Sequence, residues 1–113
     1  MNNLDVSIEK TDWGIVYYYK NTDCRFSLYM YDDDKKSLYL SNVEVYDSSR
    51  GKGIGNEILE FAYEKARKRN ITSLYLFVLE HSWMHEWYKR KGFTDHSYTE
   101  DPRYVWMIKE VKQ

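Results

Sequence analysis

The sequence predicts an α/β domain built on a mixed sheet of about seven strands with two helices. Two observations support this prediction. Four segments within residues 1–45 alternate apolar and polar side chains with a period near two, as half-buried strands do. Beyond them, two segments with the apolar period of a helix are each followed by residues typical of strands. The 113 residues contain no linker, repeat or low-complexity segment, so we expect one domain over residues 1–113.

The four alternating segments are expected to form strands joined by short turns. Their alternating faces are, in order, Leu4, Val6 and Ile8; Trp13, Ile15, Tyr17 and Tyr19; Phe26, Leu28 and Met30; and Leu38 and Leu40, with Tyr39, Ser41, Val43 and Val45 opposite. Turn-forming residues at 11–12 and 21–23 separate the first three. The charged run at 32–36 predicts a solvated hairpin tip, because no other oxygen-rich residues lie at the spacing that a hard cation needs.

The stretch at residues 43–55 combines strand formers, a polar turn and a glycine-rich loop that opens a helix. The loop reads Arg50, Gly51, Lys52, Gly53, Ile54 and Gly55, and from Ile54 onward the apolar residues follow a helical period: Ile54, Ile58, Leu59, Phe61, Ala62 and Ala66. Glycines there leave backbone N–H groups pointing outward at the positive end of a helix, which describes an anion site. Arg50 and Lys52 add positive charge, so a phosphate or pyrophosphate ligand is expected.

Two phosphate-binding patterns are excluded or weakened by spacing. A P-loop needs Ser or Thr after its lysine, whereas Lys52 is followed by Gly53. The dinucleotide fingerprint needs a third glycine where Asn56 stands, and an acidic residue at the end of a second strand, where residues 74–79 are apolar and aromatic. An ordinary glycine-rich turn remains the alternative.

The rest of the chain adds a strand, a second helix and two strands, at residues 72–79, at 83–91, from 93, and at 104–111. Asn70 is predicted to end the first helix in the left-handed conformation that Asn tolerates. Ser82 is expected to cap the second helix, and Gly92 to stop it. Trp83, Met84 and Trp87 would form the apolar face of that helix.

Composition limits the classes of protein to consider. The net charge is −1, with nine acidic and five basic residues up to position 47 and nine acidic and twelve basic residues after it, so the glycine loop lies in the positive part. Cys24 is the only cysteine, which excludes an internal disulfide and fits a reducing compartment. Residues 1–10 lack a signal-peptide pattern and residues 74–79 are too few to cross a bilayer, so we expect a cytoplasmic protein without membrane contact.

Other types of site are less well supported. His81 and His85 do not complete the His-Glu-x-x-His zinc pattern, because Lys89 follows Glu86 at the required distance, so no metal is expected. The basic residues at 67–69 are ordinary for a helix C-terminus, which makes a nucleic-acid partner unlikely on sequence grounds.

Two motifs in the chain resemble the N-acetyltransferases of the GNAT family. The pyrophosphate loop of that family reads Arg or Gln, two residues, Gly, one residue, Gly or Ala, as Arg50, Gly53 and Gly55 do here. After the fifth strand the family has a helix ending in Tyr, three residues and Gly-Phe, matched by Tyr88 and residues 92–93. The resemblance covers residues 37–99 and implies a mostly antiparallel sheet.

The resemblance implies acetyl-CoA as co-substrate. Its pyrophosphate would lie on the amides of the glycine loop, and its pantetheine arm would run between the fourth and fifth strands. The implied cofactor-binding residues are Val43, Val45, Arg50, Gly51, Lys52, Gly53, Ile54, Gly55 and His81. Tyr88 would lie beside the sulfur. The implied activity is acetyl transfer to a primary amine by direct attack.

The sequence departs from the family in two places. Tyr39 stands where some members carry a glutamate base. The candidates for the base are therefore Glu44 and, acting through water, Glu80 or His81 at the end of the fifth strand. Only Thr11 and Asp12 occupy the place of the usual helical insertion after the first strand, which predicts an open acceptor side. We therefore expect a protein or peptide acceptor, or a second subunit that completes the site as a homodimer. A module that binds CoA or a partner without catalysis is the alternative.

Overall fold

The computed structural model describes residues 1 and 3–113, and seven strands and two helices lie within them. The elements in order are β1 (Asp5–Lys10), β2 (Gly14–Lys20), β3 (Cys24–Tyr31), β4 (Asp34–Val45), α1 (Ile54–Lys68), β5 (Ser73–Leu79), α2 (Trp83–Arg90), β6 (Thr94–Tyr98) and β7 (Tyr104–Glu110). A short 3-10 turn, Asp47–Ser49, joins β4 to the glycine loop. None of the helices in the described part of the chain is long and apolar enough to cross a membrane.

One seven-stranded sheet runs in the order β1-β2-β3-β4-β5-β7-β6. Every neighbouring pair is antiparallel except β4 and β5, which are parallel because α1 connects them as a crossover. The predicted fold class, a mixed and mostly antiparallel sheet with two helices and no helical insertion after the first strand, is confirmed.

The two central strands of the sheet, β4 and β5, pair over only part of their length. β4 pairs with β5 only from Ser37–Ser73 to Tyr39–Tyr75, and the two strands separate beyond that point. On its other edge β4 contains one extra residue, because Ser41 faces Ser27 whereas Glu44 faces Arg25. Asn42 adopts a φ of 55° within this bulge. The bulge and the separation together open a fork between β4 and β5.

The bulge corrects one prediction of alternation. We expected Val43 and Val45 on the face opposite Leu40, but the extra residue moves them to the same face as Leu40, where they pack against the core. Glu44 consequently projects to the other face, opposite Arg25. Glu44 therefore points away from Val43 and Val45.

Both helices pack on one face of the sheet. Ala62 and Ala66 are fully buried, so the backbone of α1 approaches the strands closely, and Ile58 fills the space beside them. Truncating a buried side chain of that size costs about 2–5 kcal/mol of unfolding free energy. α2 lies beside α1, with Trp87 in contact range of Gly55. The core thus lies between the helices and this face.

The opposite face of the sheet carries aromatic rings and neither helix. We call this surface the aromatic face, and its rings are Trp13, Tyr29, Tyr31, Tyr39, Tyr75, Phe77, His96, Tyr104 and Trp106. Trp13 was expected on the same face as Tyr19, which is wrong. β2 begins only at Gly14, and the Thr11–Gly14 turn rotates Trp13 onto Tyr29 and Tyr31.

Candidate active site

The glycine loop presents the N-terminus of α1. Gly53 is the N-cap residue, with φ 78°, and Gly51 has φ 79°, both in the left-handed region that favours glycine. Because Gly53 has no side chain, it cannot cap the first amides of the helix as Ser or Asp would. Those amides and the helix dipole therefore face the cleft described next, as an anion site requires.

A cleft of ≈ 560 Å³ lies between β4, the glycine loop and α2. The residues predicted to bind cofactor that line it are Val43, Val45, Arg50, Gly51, Gly53, Ile54 and Gly55. Glu44 and Tyr88, predicted to be catalytic, also belong to the lining. Lys52 lies in the loop but does not line the cleft. His81, which follows the end of β5, does not line it either. Trp83, Met84 and Trp87 form the wall contributed by α2.

Arg50 is held at the mouth of this cleft. Its Nε donates to the Val45 carbonyl at 3.3 Å, and its guanidinium lies 3.1 Å from Asp47. The preceding turn, Asp47–Ser49, is held by a hydrogen bond that the Ser49 hydroxyl donates to Asp23 at 2.6 Å. The side chain remains largely exposed, so its charge is available beside the helix N-terminus.

Tyr88 lies in the wall of the cleft with its ring in the core. It is 4% exposed and makes edge contacts with Trp87 and Phe93 at ring distances of 5.1 and 5.5 Å. Burial, with a smaller effect of Tyr63, raises the pKa of Tyr88 to about 12. Among the described residues none accepts a hydrogen bond from its hydroxyl, which is therefore a protonated donor without a protein partner.

The two candidate carboxylates have different surroundings. Glu44 lies at the rim of the cleft and forms an ion pair with Arg25, whose Nε lies 2.7 Å from its Oε1. Glu80 accepts from the Tyr98 hydroxyl at 2.8 Å and lies 3.8 Å from His81 Nε2, outside the lining of the cleft. The structure therefore brings Glu44, but not Glu80, together with Tyr88.

Sequence reasoning missed the contact between the buried His85 and the exposed Asp95. His85 is 1% exposed, its Nδ1 accepts from the His81 amide at 3.0 Å, and its Nε2 lies 2.7 Å from Asp95 Oδ1. Because Nδ1 acts as acceptor, the proton of the neutral ring belongs on Nε2, which donates to Asp95. The pair ties α2 to β6 and holds the turn in which His81 has a φ of 65°. Asp95 lies on another strand, so no local pattern indicated the contact.

No carboxylate replaces the glutamate expected in the middle of β4. Tyr39 occupies that position and stacks on Tyr29 and Tyr75, each at a ring distance of 5.1 Å.

The family model described as Acetyltransferase (GNAT) family matches residues 14–93. No curated protein matches the sequence. Among solved structures, a GNAT family acetyltransferase from Elizabethkingia anophelis with acetyl-CoA bound has TM-score 0.68 at 14% identity, covering 97% of this chain and 99% of that chain. The IAA acetyltransferase from Bacillus cereus ATCC 14579 has TM-score 0.68 at 16% identity, covering 96% and 99%.

A third structure, the ribosomal-protein-S18-alanine N-acetyltransferase from Escherichia coli, has TM-score 0.67 at 17% identity and covers 92% of this chain and 73% of that chain. At these identities the three structures show a common fold. The family match covers both motifs of the cleft, the glycine loop and the Tyr88 helix. The chain belongs to the GNAT acetyltransferase family.

Proposed function

We propose that the chain is an N-acetyltransferase that moves an acetyl group from acetyl-CoA to a primary amine. The observation that carries this proposal is the glycine-capped N-terminus of α1, which opens into the cleft at the fork between β4 and β5. Membership of the GNAT family supports the reaction class.

The residues of the cleft fit acetyl-CoA. Added Cβ atoms at Gly51 and Gly53 would meet no atom within 4 Å, so the loop leaves room for a diphosphate against the amides. Arg50 lies beside it as a second source of positive charge. Val43 and Val45 lie where β4 no longer pairs with β5, which leaves backbone groups on that edge for an extended amide-containing arm. Acetyl-CoA supplies the activated thioester.

The acceptor must lose a proton before it reacts. For a lysine-like amine with a pKa of about 10.4, forming the neutral amine at pH 7 costs about 4.6 kcal/mol of free energy. In the proposed step the amine nitrogen bonds to the acetyl carbon as the carbon–sulfur bond breaks, and a base takes the amine proton. The Tyr88 hydroxyl donates a hydrogen bond to the departing thiolate.

We assign the base role to Glu44, with Glu80 as second candidate. Glu44 is the carboxylate among the described residues of the lining, and Arg25 orients it at the rim. Because it projects from the face of β4 opposite Val43 and Val45, it is placed for an acceptor that enters from the aromatic face. Glu80 would act through water, with His81 beside it.

The acceptor proposed is a protein or peptide. Only the Thr11–Gly14 turn joins β1 to β2, so no helical insertion from this connection covers the acceptor side. The Escherichia coli structure with the same fold is named as acting on a ribosomal protein, which supports this class of acceptor. A second copy of the chain that supplied the missing wall would appear as a dimer.

The test follows thiol release from acetyl-CoA with a panel of lysine-containing and free N-terminal peptides, compared with small polyamines, while light scattering records the mass. We expect peptide turnover. Turnover of small amines alone by a monomer would contradict the acceptor class. Tight CoA binding without release across the panel would instead favour the non-catalytic module, for which Tyr39 in place of a glutamate is the supporting observation.

A further inference from the structure

We propose that the aromatic face is a docking site for a lysine-rich segment of the acceptor protein. The inference rests on the proposed function for the class of acceptor, but it concerns a surface separate from the cofactor cleft. Large exposed apolar surfaces on a monomer usually mark an interaction site.

The rings of the aromatic face form one continuous layer across the sheet. Trp13 lies 5.0 Å from Tyr31, and Tyr31 lies 5.2 Å from Tyr39. Tyr39 in turn lies 5.8 Å from Trp106, which lies 5.3 Å from Phe77. The layer extends from the β3–β4 hairpin to the start of β7, which lies beside the end of β5. Along this length it presents the faces and edges of aromatic rings.

The charge beside these rings selects a cationic occupant. The β3–β4 hairpin places Asp33 and Asp34 beside the rings, with Asp34 opposite Tyr31 in the strand register, whereas the Asp32 carboxylate already lies 3.9 Å from Lys35 Nζ. Burial, and then the negative charge of Asp34, raises the pKa of Tyr39, with a smaller effect of Asp33. Aromatic faces next to carboxylates attract ammonium groups through combined cation–π and ionic interactions.

A second copy of this chain is a poorer occupant. The cation at the opposite end of the aromatic face is Arg103, whose guanidinium lies 5.9 Å from the Tyr104 ring. That group already donates to both oxygens of Asp101, from Nε to Oδ1 at 3.0 Å and from Nη2 to Oδ2 at 2.6 Å. Arg25 and Lys35, on the same face, are likewise in ion pairs, with Glu44 and Asp32. A face-to-face dimer would therefore lack, among the described residues of this face, an unpaired cation to match Asp33 and Asp34.

The position of Tyr39 connects this surface to the reaction. Tyr39 is the last residue of β4 that pairs with β5, so the rings reach the point where the fork opens. A segment docked over Tyr31 and Tyr39 would hold its neighbouring lysines near Glu44, which projects from the same face of β4. Docking would then raise the local concentration of acceptor at the fork.

The experiment measures binding of a capped, lysine-rich Gly/Ser peptide by titration calorimetry, without acetyl-CoA. The variants are Trp13→Leu, which keeps an apolar side chain without the ring, and Asp33→Asn, which keeps size without charge. Each should weaken binding by about fivefold, and raised salt should weaken it further. Tyr98→Leu is the control, since Tyr98 is also exposed, at 58% against 42% for Trp13, but pairs with Val105 and so lies on the face that carries the helices.

Equal affinity for a norleucine peptide of the same length, or unchanged affinity in both variants with intact melting temperatures, would overturn the proposal. So would a dimer whose dissociation constant is raised by Trp13→Leu, because the face would then be occupied by a second copy. Thiol release with a saturating small amine keeps the two proposals apart. We expect Trp13→Leu to retain thiol release with the small amine. If the unmodified chain released no thiol, that result would count against acetyl transfer, whereas the measured peptide binding would still test the docking site.

Discussion

The ring of Tyr88 is buried, its hydroxyl has no partner among the described residues, and burial raises its pKa to about 12, so the hydroxyl is a protonated donor near neutral pH. Giving its proton outright to a thiolate, whose acid has a pKa near 8.5, would be uphill by about 5 kcal/mol, so hydrogen bonding is its expected role. Tyr88→Phe should lower kcat by about tenfold to a hundredfold, the worth of a hydrogen bond to a charged group, with little change in KM for acetyl-CoA.

Steady-state kinetics of Tyr88→Phe and Tyr63→Phe would test this role. Tyr63 is also buried, but its hydroxyl accepts a hydrogen bond from Lys109 at 3.1 Å and lies away from the cleft. We expect Tyr63→Phe to affect stability and to leave kcat unchanged. An unchanged kcat in Tyr88→Phe would assign Tyr88 to packing alone.

The carboxylate of Glu44 is predicted to accept the amine proton. Glu44→Gln keeps the shape of the side chain and its contact with Arg25 but removes the base, so kcat/KM should fall by about a hundredfold. Glu60→Gln, an exposed position on α1, is the matched control and should change little. If Glu44→Gln retained activity and Glu80→Gln lost it, the base role would pass to Glu80.

At the scale of elements, the loop depends on the left-handed backbone of Gly53, whose φ is 78°. An added Cβ meets no atom there, so the cost of Gly53→Ala is conformational, about 1 kcal/mol. Relaxing that φ would turn the amides of the loop away from the anion site, and CoA binding should weaken by about fivefold. Asn tolerates positive φ, so Gly53→Asn should bind more tightly than Gly53→Ala.

Calorimetric titration with CoA, together with urea unfolding, measures both effects. The result that would count against the anion site is full CoA affinity in Gly53→Ala alongside reduced stability. Gly53 would then serve only the folding of the turn.

The predictions that the structure confirms at this scale rest on local signals. The helix that begins at Ile54, the Ser82 cap that accepts from the His85 amide at 3.2 Å, and the left-handed Asn70 and Gly92 all follow from residues adjacent in sequence. The bulge at Asn42 does not, because it exists only in the pairing of β4 with β3. Alternation continued through Asn42 therefore placed Val43 and Val45 on the wrong face.

At the scale of the whole molecule, the sequence contains many tyrosines and lacks a helical insertion after the first strand. It did not indicate that these tyrosines would lie together on a face of the sheet that neither helix covers. The order of the strands in the sheet comes from the structure, since hydrophobic periodicity does not specify which strands pair. That order aligns Tyr29, Tyr39 and Tyr75 on adjacent strands, so their rings stack. The contact of His85 with Asp95 likewise depends on tertiary packing and had no signal in either segment.

This dense layer of tyrosines predicts a loss of stability in alkali. Burial raises the pKa of Tyr29 to about 12 and also raises that of Tyr39, whereas a tyrosine in the unfolded chain titrates near pH 10. The unfolded state therefore releases protons first, so this contribution is fully present below about pH 10 and is lost as the pH rises through about 12. Urea midpoints measured at increasing pH should fall across this window together with the appearance of phenolate absorbance. Tyr29→Phe removes one shifted group and should make the fall shallower, whereas equal slopes in the two proteins would place the alkaline sensitivity outside the aromatic face.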